Sequence, residues 1–228
     1  MRIADNVEML EISGMGTIYP TIAWDADNLA LIDAGFPGQS DAIVQAIAAA
    51  GFAAESLTHI IITHHDLDHI GCVTDLLKLS PSALVLAHEA EAPYLDGRKT
   101  PVKLAAMQER YDSLTDEHKA LFDQMKVAYA GRITPVGQVL HDCDVLPICG
   151  GIEVIHTPGH TLGHICLFLR ASGILLCGDA LNVSDGELVG PHPQHTYDMG
   201  LAQKSAEKVI AYPYSAAVTY HGGYLMRA

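Results

Sequence analysis

THIIITHHDLDH, residues 58–69, is the stretch of sequence that decides the fold. Its β-branched apolar run ends at Thr63, and five of the next six residues are histidine or aspartate. The run predicts a buried strand, and the loop after a strand is a rigid place for functional side chains. Because side chains alternate along an extended chain, His64, Asp66 and Asp68 should share one side, with His69 following as a helix begins. These residue types predict a metal site, and a register that uses His65 instead of Asp66 stays open.

Three further segments place the same residue types directly after a predicted strand. Thr157-Pro158-Gly159-His160 follows GIEVIHT, and its Pro-Gly turn presents one histidine. Asp179 comes after ILLCG, and His221 comes after AAVTY. Each segment is a weak signal alone, but four strand ends of this kind in one chain predict a common site.

The composition indicates a folded acidic protein. Hydrophobic residues make up 49% and charged residues 18% of the 228 residues, which predicts a packed core. Lys and Arg number 13 against 27 Asp and Glu, giving a net charge of −14. Such a surface repels phosphate backbones, so we expect no nucleic-acid partner. The 13 histidines, as many as all the basic residues, again favour a metal site.

The sequence carries no targeting or membrane signal. The N-terminal MRIADNVEMLEI lacks the apolar core, about 7–15 residues long, of a signal peptide, and no stretch approaches the ~20 apolar residues of a membrane span. Five cysteines without a C-x-x-C pair predict small buried apolar residues in a reducing compartment. We therefore expect a cytoplasmic protein with no membrane partner.

The order of predicted elements indicates an α/β (α+β) fold in one domain over residues 1–228. Strands are predicted at 7–12, 17–24, 28–35, 58–65, 83–89, 134–142, 151–157, 164–170, 173–181 and 216–223, and helices at 39–52, 68–79 and 201–212.

A helical insertion, about residues 92–131, separates the two β-rich halves. The sequence pattern of this insertion predicts two amphipathic helices, the second with Thr115 as its N-cap. Three interpretations are open: a lid over the site, a homodimer surface, or an ordinary packed helical hairpin. The lid interpretation assigns an apolar pocket wall to Met107, Tyr111, Leu121, Phe122 and Met125.

Together the motifs resemble the metallo-β-lactamase superfamily, whose signature is H-x-H-x-D-H after a strand, a P-G-H-T turn, a G-D and a late histidine. This resemblance covers residues 15 to 223 and implies a four-layer αβ/βα sandwich with a dinuclear metal site at one edge. It implies one metal held by His64, Asp66 and His160, another held by Asp68, His69 and His221, and Asp179 bridging the two.

One departure from the signature changes the chemistry that we expect. Asp66 stands where the family has its second histidine, so a carboxylate replaces a neutral imidazole. The added negative charge brings Mn²⁺ and Fe closer to Zn²⁺ as competitors, and zinc remains the first expectation.

The resemblance implies a metal-dependent hydrolase acting on a small-molecule ester, lactone or thioester. Two divalent ions would generate a hydroxide at neutral pH, and Asp68 would serve as ligand and proton carrier. Two alternatives stay open: an iron-dependent oxidoreductase of the same fold, and a non-catalytic member that binds a metal and a small molecule.

Further residues are candidates for supporting roles. By resemblance, Asp33 would orient a ligand histidine and His164 would stabilise the site. Asn182 stands where similar lactonases carry a tyrosine after the bridging aspartate. His192, His195 and Tyr197, in GPHPQHTYDMG, would wall the substrate pocket.

Overall fold

Two β-sheets form the centre of the computed structural model, which describes residues 1–14 and 16–227. The strands are β1 Arg2–Ala4, β2 Val7–Met9, β3 Ile12–Ser13, β4 Thr17–Ile18, β5 Thr21–Trp24, β6 Leu29–Ile32, β7 His59–Ile62, β8 Leu84–His88, β9 Gln138–Leu140, β10 Val145–Leu146, β11 Ile152–His156, β12 Ile165–Leu169, β13 Ile174–Leu176, β14 Asn182–Ser184, β15 Glu187–Val189, β16 Ala216–Thr219 and β17 Gly223–Met226. The α-helices are α1 Ser40–Ala49, α2 Leu67–Ile70, α3 Val73–Leu79, α4 Ala92–Leu95, α5 Val102–Glu109, α6 Asp116–Ala130 and α7 Met199–Ile210. Short 3₁₀ turns lie at Ala54–Ser56, Tyr111–Ser113 and Pro193–His195.

The topology brings the ends of the motif-bearing strands to one edge. The first sheet has the order β1-β2-β5-β6-β7-β8-β9, with β6 to β9 parallel. The second has the order β10-β11-β12-β13-β16-β17. Because β12 is antiparallel to both β11 and β13, and β16 is parallel to β13, the strands β11, β13 and β16 run in one direction. Their carboxyl ends therefore meet at the same edge of that sheet.

Three hydrophobic cores separate four layers, as the resemblance implies. One core lies between the sheets and combines residues such as Ala30 and Ile61 with Val154 and Leu167. A second joins the outer face of the first sheet to α1, α3 and the insertion helices. The third packs α7 against the second sheet, with Val209 fully buried. The αβ/βα sandwich is thus confirmed, and the assignment of the whole chain to one domain stays a prediction.

The helix predicted at 68–79 is broken, and the break matters for the site. It divides into α2 and α3 at Gly71, where a Cβ would lie 2.2 Å from the Pro37 backbone nitrogen. The Gly71 N–H donates to the Gly35 carbonyl (2.8 Å), and Cys72 donates to Ala34 (2.9 Å). The break therefore holds the motif turn against the loop that follows β6.

Several other predictions are corrected by the structure. Pro20 divides the strand predicted at 17–24, because proline cannot donate a ladder hydrogen bond. The helix predicted at 39–52 is shorter, and the hairpin β14–β15 and the strand β17 were not predicted. Four of the five cysteines are buried as expected, but Cys143 is exposed. No helix in the described residues combines the length and apolar character needed to cross a bilayer.

Candidate metal centre

Seven predicted ligand side chains converge at the shared sheet edge. The loop and turn after β7 supply four of them, and the loops after β11, β13 and β16 supply one each. The first group is His64, Asp66 and His160, with Asp66 Oδ2 lying 3.0 Å from His160 Nε2 and 3.2 Å from His64 Nε2. All three side chains are buried.

The second group consists of Asp68, His69 and His221. Asp68 Oδ2 lies 3.2 Å from His221 Nε2 and 3.6 Å from His69 Nε2. This group is more open than the first, because the His221 side chain is 36% exposed and that of Asp68 is 17% exposed. It therefore forms the side of the cluster that a substrate would reach.

Asp179 lies between the two groups. Its Oδ2 is 3.5 Å from His160 Nε2 and 3.3 Å from His221 Nε2, while Oδ1 is 3.4 Å from His69 Nε2. A carboxylate in this position contacts both groups, which is the geometry that the bridging role requires.

The donor atoms at the centre of the cluster fit divalent cations. Four buried atoms of the ligand side chains other than His160 have no hydrogen-bond partner among the described residues: His64 Nε2, Asp66 Oδ1, His69 Nε2 and Asp179 Oδ1. His160 faces Asp66 and Asp179 with its Nε2. Buried polar atoms are rarely left without a partner, so four in one cluster indicate that an ion belongs there. The mixture of imidazole nitrogen and carboxylate oxygen suits Zn²⁺, and also Mn²⁺ or Fe.

The pKa values of the histidines in the cluster also favour cation binding. Burial and the neighbouring His69 hold the pKa of His64 well below its ordinary value, so its ring is neutral and able to bind a cation. Burial alone would lower the pKa of His69, but Asp33, Asp68 and Asp179 outweigh it and raise the pKa well above its ordinary value. Burial also opposes protonation of His221, yet Asp179 and Asp68 raise its pKa to about 9. The carboxylates thus attract protons that metal binding would displace.

Asp33 and Tyr220 fix the orientation of the motif turn. The buried Asp33 carboxylate accepts hydrogen bonds from His69 Nδ1 (2.8 Å) and from the Thr63 backbone N–H and hydroxyl (both 2.8 Å). This leaves His69 Nε2 facing the cluster, as expected of a carboxylate that orients a ligand histidine. The Tyr220 hydroxyl, which sequence reasoning missed, donates to the Asp68 carbonyl (2.6 Å).

His164 lies directly behind the cluster. Its Nε2 accepts a hydrogen bond from the Asp179 backbone N–H (3.0 Å), and its Nδ1 lies 2.7 Å from the Thr157 hydroxyl. Complete burial lowers the pKa of His164 to about 3, which keeps the ring neutral. The histidine therefore holds the Asp179 loop in place without pointing into the site.

The structure brings Asp66 and not His65 into the cluster. The His65 ring stacks on Tyr94 at 4.3 Å, and its Nδ1 contacts the fully buried Glu91 carboxylate. Glu91 also accepts hydrogen bonds from the Thr161 hydroxyl (2.7 Å) and the Gly163 N–H (2.8 Å). It therefore ties the β7 loop to the loop that carries His160, a long-range contact with no signal in the sequence.

A pocket of about 460 Å³ opens in front of the cluster. His192 and His195 line it as predicted, together with Asn182, Asp68 and Lys103. Tyr197 is not brought into this wall: its side chain is exposed, and its backbone N–H donates to the His160 carbonyl at 3.2 Å.

The helical insertion packs mainly into the core. Met107 and Phe122 are buried in the core that includes the first sheet, Tyr111 and Met125 are half-buried against it, and Leu121 is exposed. None of these five lines the metal pocket, so the apolar lid formed by them is wrong, and the packed hairpin fits better.

The insertion nevertheless supplies Lys103, which sequence reasoning missed. Its ammonium group forms an ion pair with Asp66 Oδ2, the atom that also faces His64 and His160. Lys103 is the one Lys or Arg among the described residues that line the metal pocket. It therefore places a positive charge beside the first group.

Comparison with known proteins agrees with this geometry. The chain is 27% identical over 230 residues to the probable metallo-hydrolase YflN of Bacillus subtilis (strain 168), covering 96% of this chain and 84% of that protein. It is 30% identical over 146 residues to the hydroxyacylglutathione hydrolase of Aeromonas salmonicida (strain A449), covering 64% of this chain and 40% of that enzyme. These relatives support a metal-dependent hydrolase at the level of the family.

A solved structure shares the fold. The metallo-beta-lactamase family protein from Thermus thermophilus superposes with a TM-score of 0.77 at 21% identity, covering 99% of this chain and 76% of that one. The family model of the metallo-beta-lactamase superfamily matches residues 16–221. The chain therefore belongs to the metallo-beta-lactamase superfamily.

Proposed function

We propose that the protein is a dinuclear metal-dependent hydrolase that cleaves the ester, lactone or thioester bond of a small molecule. The observation that carries this proposal is the cluster of ligand side chains with unpartnered buried atoms, of which Asp66, Asp68, His160, Asp179 and His221 line an open pocket. The resemblance of the chain to a protein named hydroxyacylglutathione hydrolase supports acyl-bond hydrolysis.

In this proposal each group of ligands holds one ion. His64, Asp66 and His160 would hold the first, Asp68, His69 and His221 would hold the second, and Asp179, which contacts both groups, would be shared. We expect zinc first, with manganese or iron as competitors, because the donors are mixed nitrogen and oxygen. When bound, the two ions supply Lewis acidity and a water that is deprotonated near neutral pH.

The chain's own residues supply orientation and proton transfer. The partly exposed Asp68 carboxylate faces the pocket and is positioned to carry a proton between water and the leaving group. The Tyr220 hydroxyl bond to the Asp68 carbonyl fixes the backbone of this residue. Asn182, His192 and His195 form the wall against which the substrate would be oriented.

A substrate screen with defined metal content tests the proposal. Protein loaded separately with Zn²⁺, Mn²⁺ or Fe²⁺ would be assayed against lactones, thioesters, esters, β-lactams and phosphodiesters. We expect turnover of an acyl substrate, and Asp68→Asn should lower kcat by about 100-fold or more, as expected for loss of a proton carrier. Asp112→Asn, at an exposed position in the insertion, is the matched control.

Two results would contradict this assignment. Oxygen consumption by the iron-loaded protein, without hydrolysis, would favour the oxidoreductase alternative. Full metal occupancy with no turnover of any substrate class would favour the non-catalytic binding protein.

A further inference from the structure

A second cavity, of about 450 Å³, lies among the helices of the insertion and is separate from the metal pocket. Helix α5 divides the two spaces. Lys103 lines the metal pocket, whereas Leu104, Ala105 and Gln108 line the second cavity. The described residues that line the two cavities do not overlap. The volume falls within the range of about 300–1,000 Å³ that is typical of small-molecule sites.

The inner wall of this cavity is apolar. Ile70, Leu104 and Phe122 line it, together with the ring of Tyr129, and all four side chains are buried. A wall of this composition accepts a hydrocarbon chain, because such a ligand gains free energy by leaving water. Ile133, which is 52% exposed, extends the apolar surface to the cavity rim.

The rim carries an unusual concentration of positive charge. Lys99, Lys126 and Arg132 all line the cavity, against the single acidic residue Glu109. In a chain of net charge −14 with only 13 basic residues, three of them at one cavity form a local site of opposite sign. Within the described part of the chain, no side-chain nitrogen of Lys99, Lys126 or Arg132 lies within 4.0 Å of a carboxylate oxygen.

We propose that this cavity binds a small amphipathic carboxylate, with its hydrocarbon chain on the apolar wall and its headgroup at the basic rim. The two lysine ammonium groups complement a carboxylate, and Arg132 adds its positive charge while its Nε and Nη1 groups donate to the Gly71 and Gly131 carbonyls. A neutral amphiphile would lack this attraction, and a cationic one would be repelled. The proposal rests on this second cavity alone and does not depend on the hydrolase activity.

The ligand would contact the back of the metal-bearing turn. Ile70 lines this cavity, while Asp68 of the same turn lines the metal pocket. The Arg132 Nε group donates a hydrogen bond to the Gly71 carbonyl, at the end of that turn. Ligand binding should therefore stabilise the folded protein by mass action and raise its Tm.

Calorimetric titration of the full-length, metal-loaded protein would use octanoate, octanol and octyltrimethylammonium as probes. We expect octanoate to bind at least tenfold more tightly than octanol, with no measurable binding of the cation. Ala105→Phe, which fills the cavity, should weaken octanoate binding at least tenfold. Ala106→Phe, on the exposed side of the same helix, is the matched control and should change it less than twofold.

A charge variant keeps the test decisive if Ala105→Phe does not fold. Lys126→Glu should weaken octanoate binding at least threefold, whereas Lys204→Glu, on the exposed face of α7, should have no effect. Equal binding of octanoate and octanol would overturn the proposal. So would octanoate binding that survives Ala105→Phe but disappears with a chelator, because that carboxylate would be on the metals. Persistence of cavity binding in an inactive or metal-free protein would support it independently of any hydrolysis.

Discussion

Replacing Glu91 by glutamine should loosen the connection between the two loops that carry the first group of ligands. The Glu91 carboxylate is fully buried and accepts four hydrogen bonds. One oxygen accepts from the His65 backbone N–H (2.9 Å) and Nδ1, and the other accepts from Thr161 and Gly163. Glutamine keeps the volume of the side chain but replaces one of these acceptor oxygens by an NH₂ group.

The size of the effect follows from the donors that lose an acceptor. Whichever way the new amide faces, two donors are left without a partner, and each hydrogen bond to a charged group is worth about 1.5–3 kcal/mol. His65 cannot compensate easily by moving its proton, because its Nε2 already accepts from the Val102 N–H (3.3 Å). The two lost hydrogen bonds together cost about 3–6 kcal/mol, and that loss corresponds to a fall in Tm of about 10 °C for a chain of this size.

Thermal unfolding of Glu91→Gln, with metal content measured in parallel, checks this prediction. Glu89→Gln is the matched control, since its side chain is 62% exposed and surface changes usually cost less than about 0.5 kcal/mol. Burial alone would raise the pKa of Glu91, but His65, Thr161 and Gly163 hold it below its ordinary value of 4.5. The loss in free energy of unfolding caused by Glu91→Gln should therefore be largest above pH 4.5. It should shrink as the pH falls through the lower pKa of Glu91 in the folded protein. A loss of stability independent of pH, or equal for the two variants, would refute this reasoning.

Three further predictions concern the metals. Lys103→Ala should tighten binding of the first metal by about tenfold, because it removes a cation that competes for Asp66. Lys99→Ala is the control and should leave this affinity unchanged. A competitive chelator titration measures the metal affinity of both variants. Asp66→Ala should lower the metal content from two ions towards one. His65→Ala should keep two ions but lower the Tm, because the His65 ring is buried away from the cluster. Elemental analysis and calorimetry measure the two effects, and the reverse pattern would contradict the ligand assignment. Removing all metal should lower the Tm by about 5–10 °C, because a ligand at 100 times its Kd stabilises the folded state by about 2.7 kcal/mol. An unchanged Tm would contradict a metal-stabilised fold.

The sequence predicts the site through its local pattern. His160, Asp179 and His221 each follow a buried strand, as does the motif after β7. The alternation of side chains favours Asp66 over His65 but leaves the other register open. These features depend on neighbours a few residues apart, which is why they are accessible without a structure. The four-layer sandwich came only from the family resemblance, and the order of strands within each sheet was not predicted.

Features that depend on distant parts of the chain were not predictable. The break at Gly71 comes from close approach of the Phe36–Pro37 backbone, and nothing in residues 68–79 requires it. Tyr220 adjoins a predicted ligand, but only the folded chain brings its hydroxyl to Asp68. The Met and Phe side chains of the insertion fitted an apolar lid and a core helix equally well, because periodicity does not identify the surface against which a helix packs.

Asp66 and Lys103 together explain how the departure from the family signature is accommodated. An aspartate in place of a histidine adds a buried negative charge beside Asp68 and Asp179, and an uncompensated buried charge is costly. The Lys103 ammonium lies on that carboxylate, so the pair carries the same net charge as the neutral imidazole that it replaces. The compensating cation comes from the insertion, 37 positions along the chain, where no motif announces it. The Lys103 side chain is 37% exposed and also lines the metal pocket, so its positive charge is accessible from the pocket. The helical insertion thus contributes to the metal centre through one charge and not through an apolar lid.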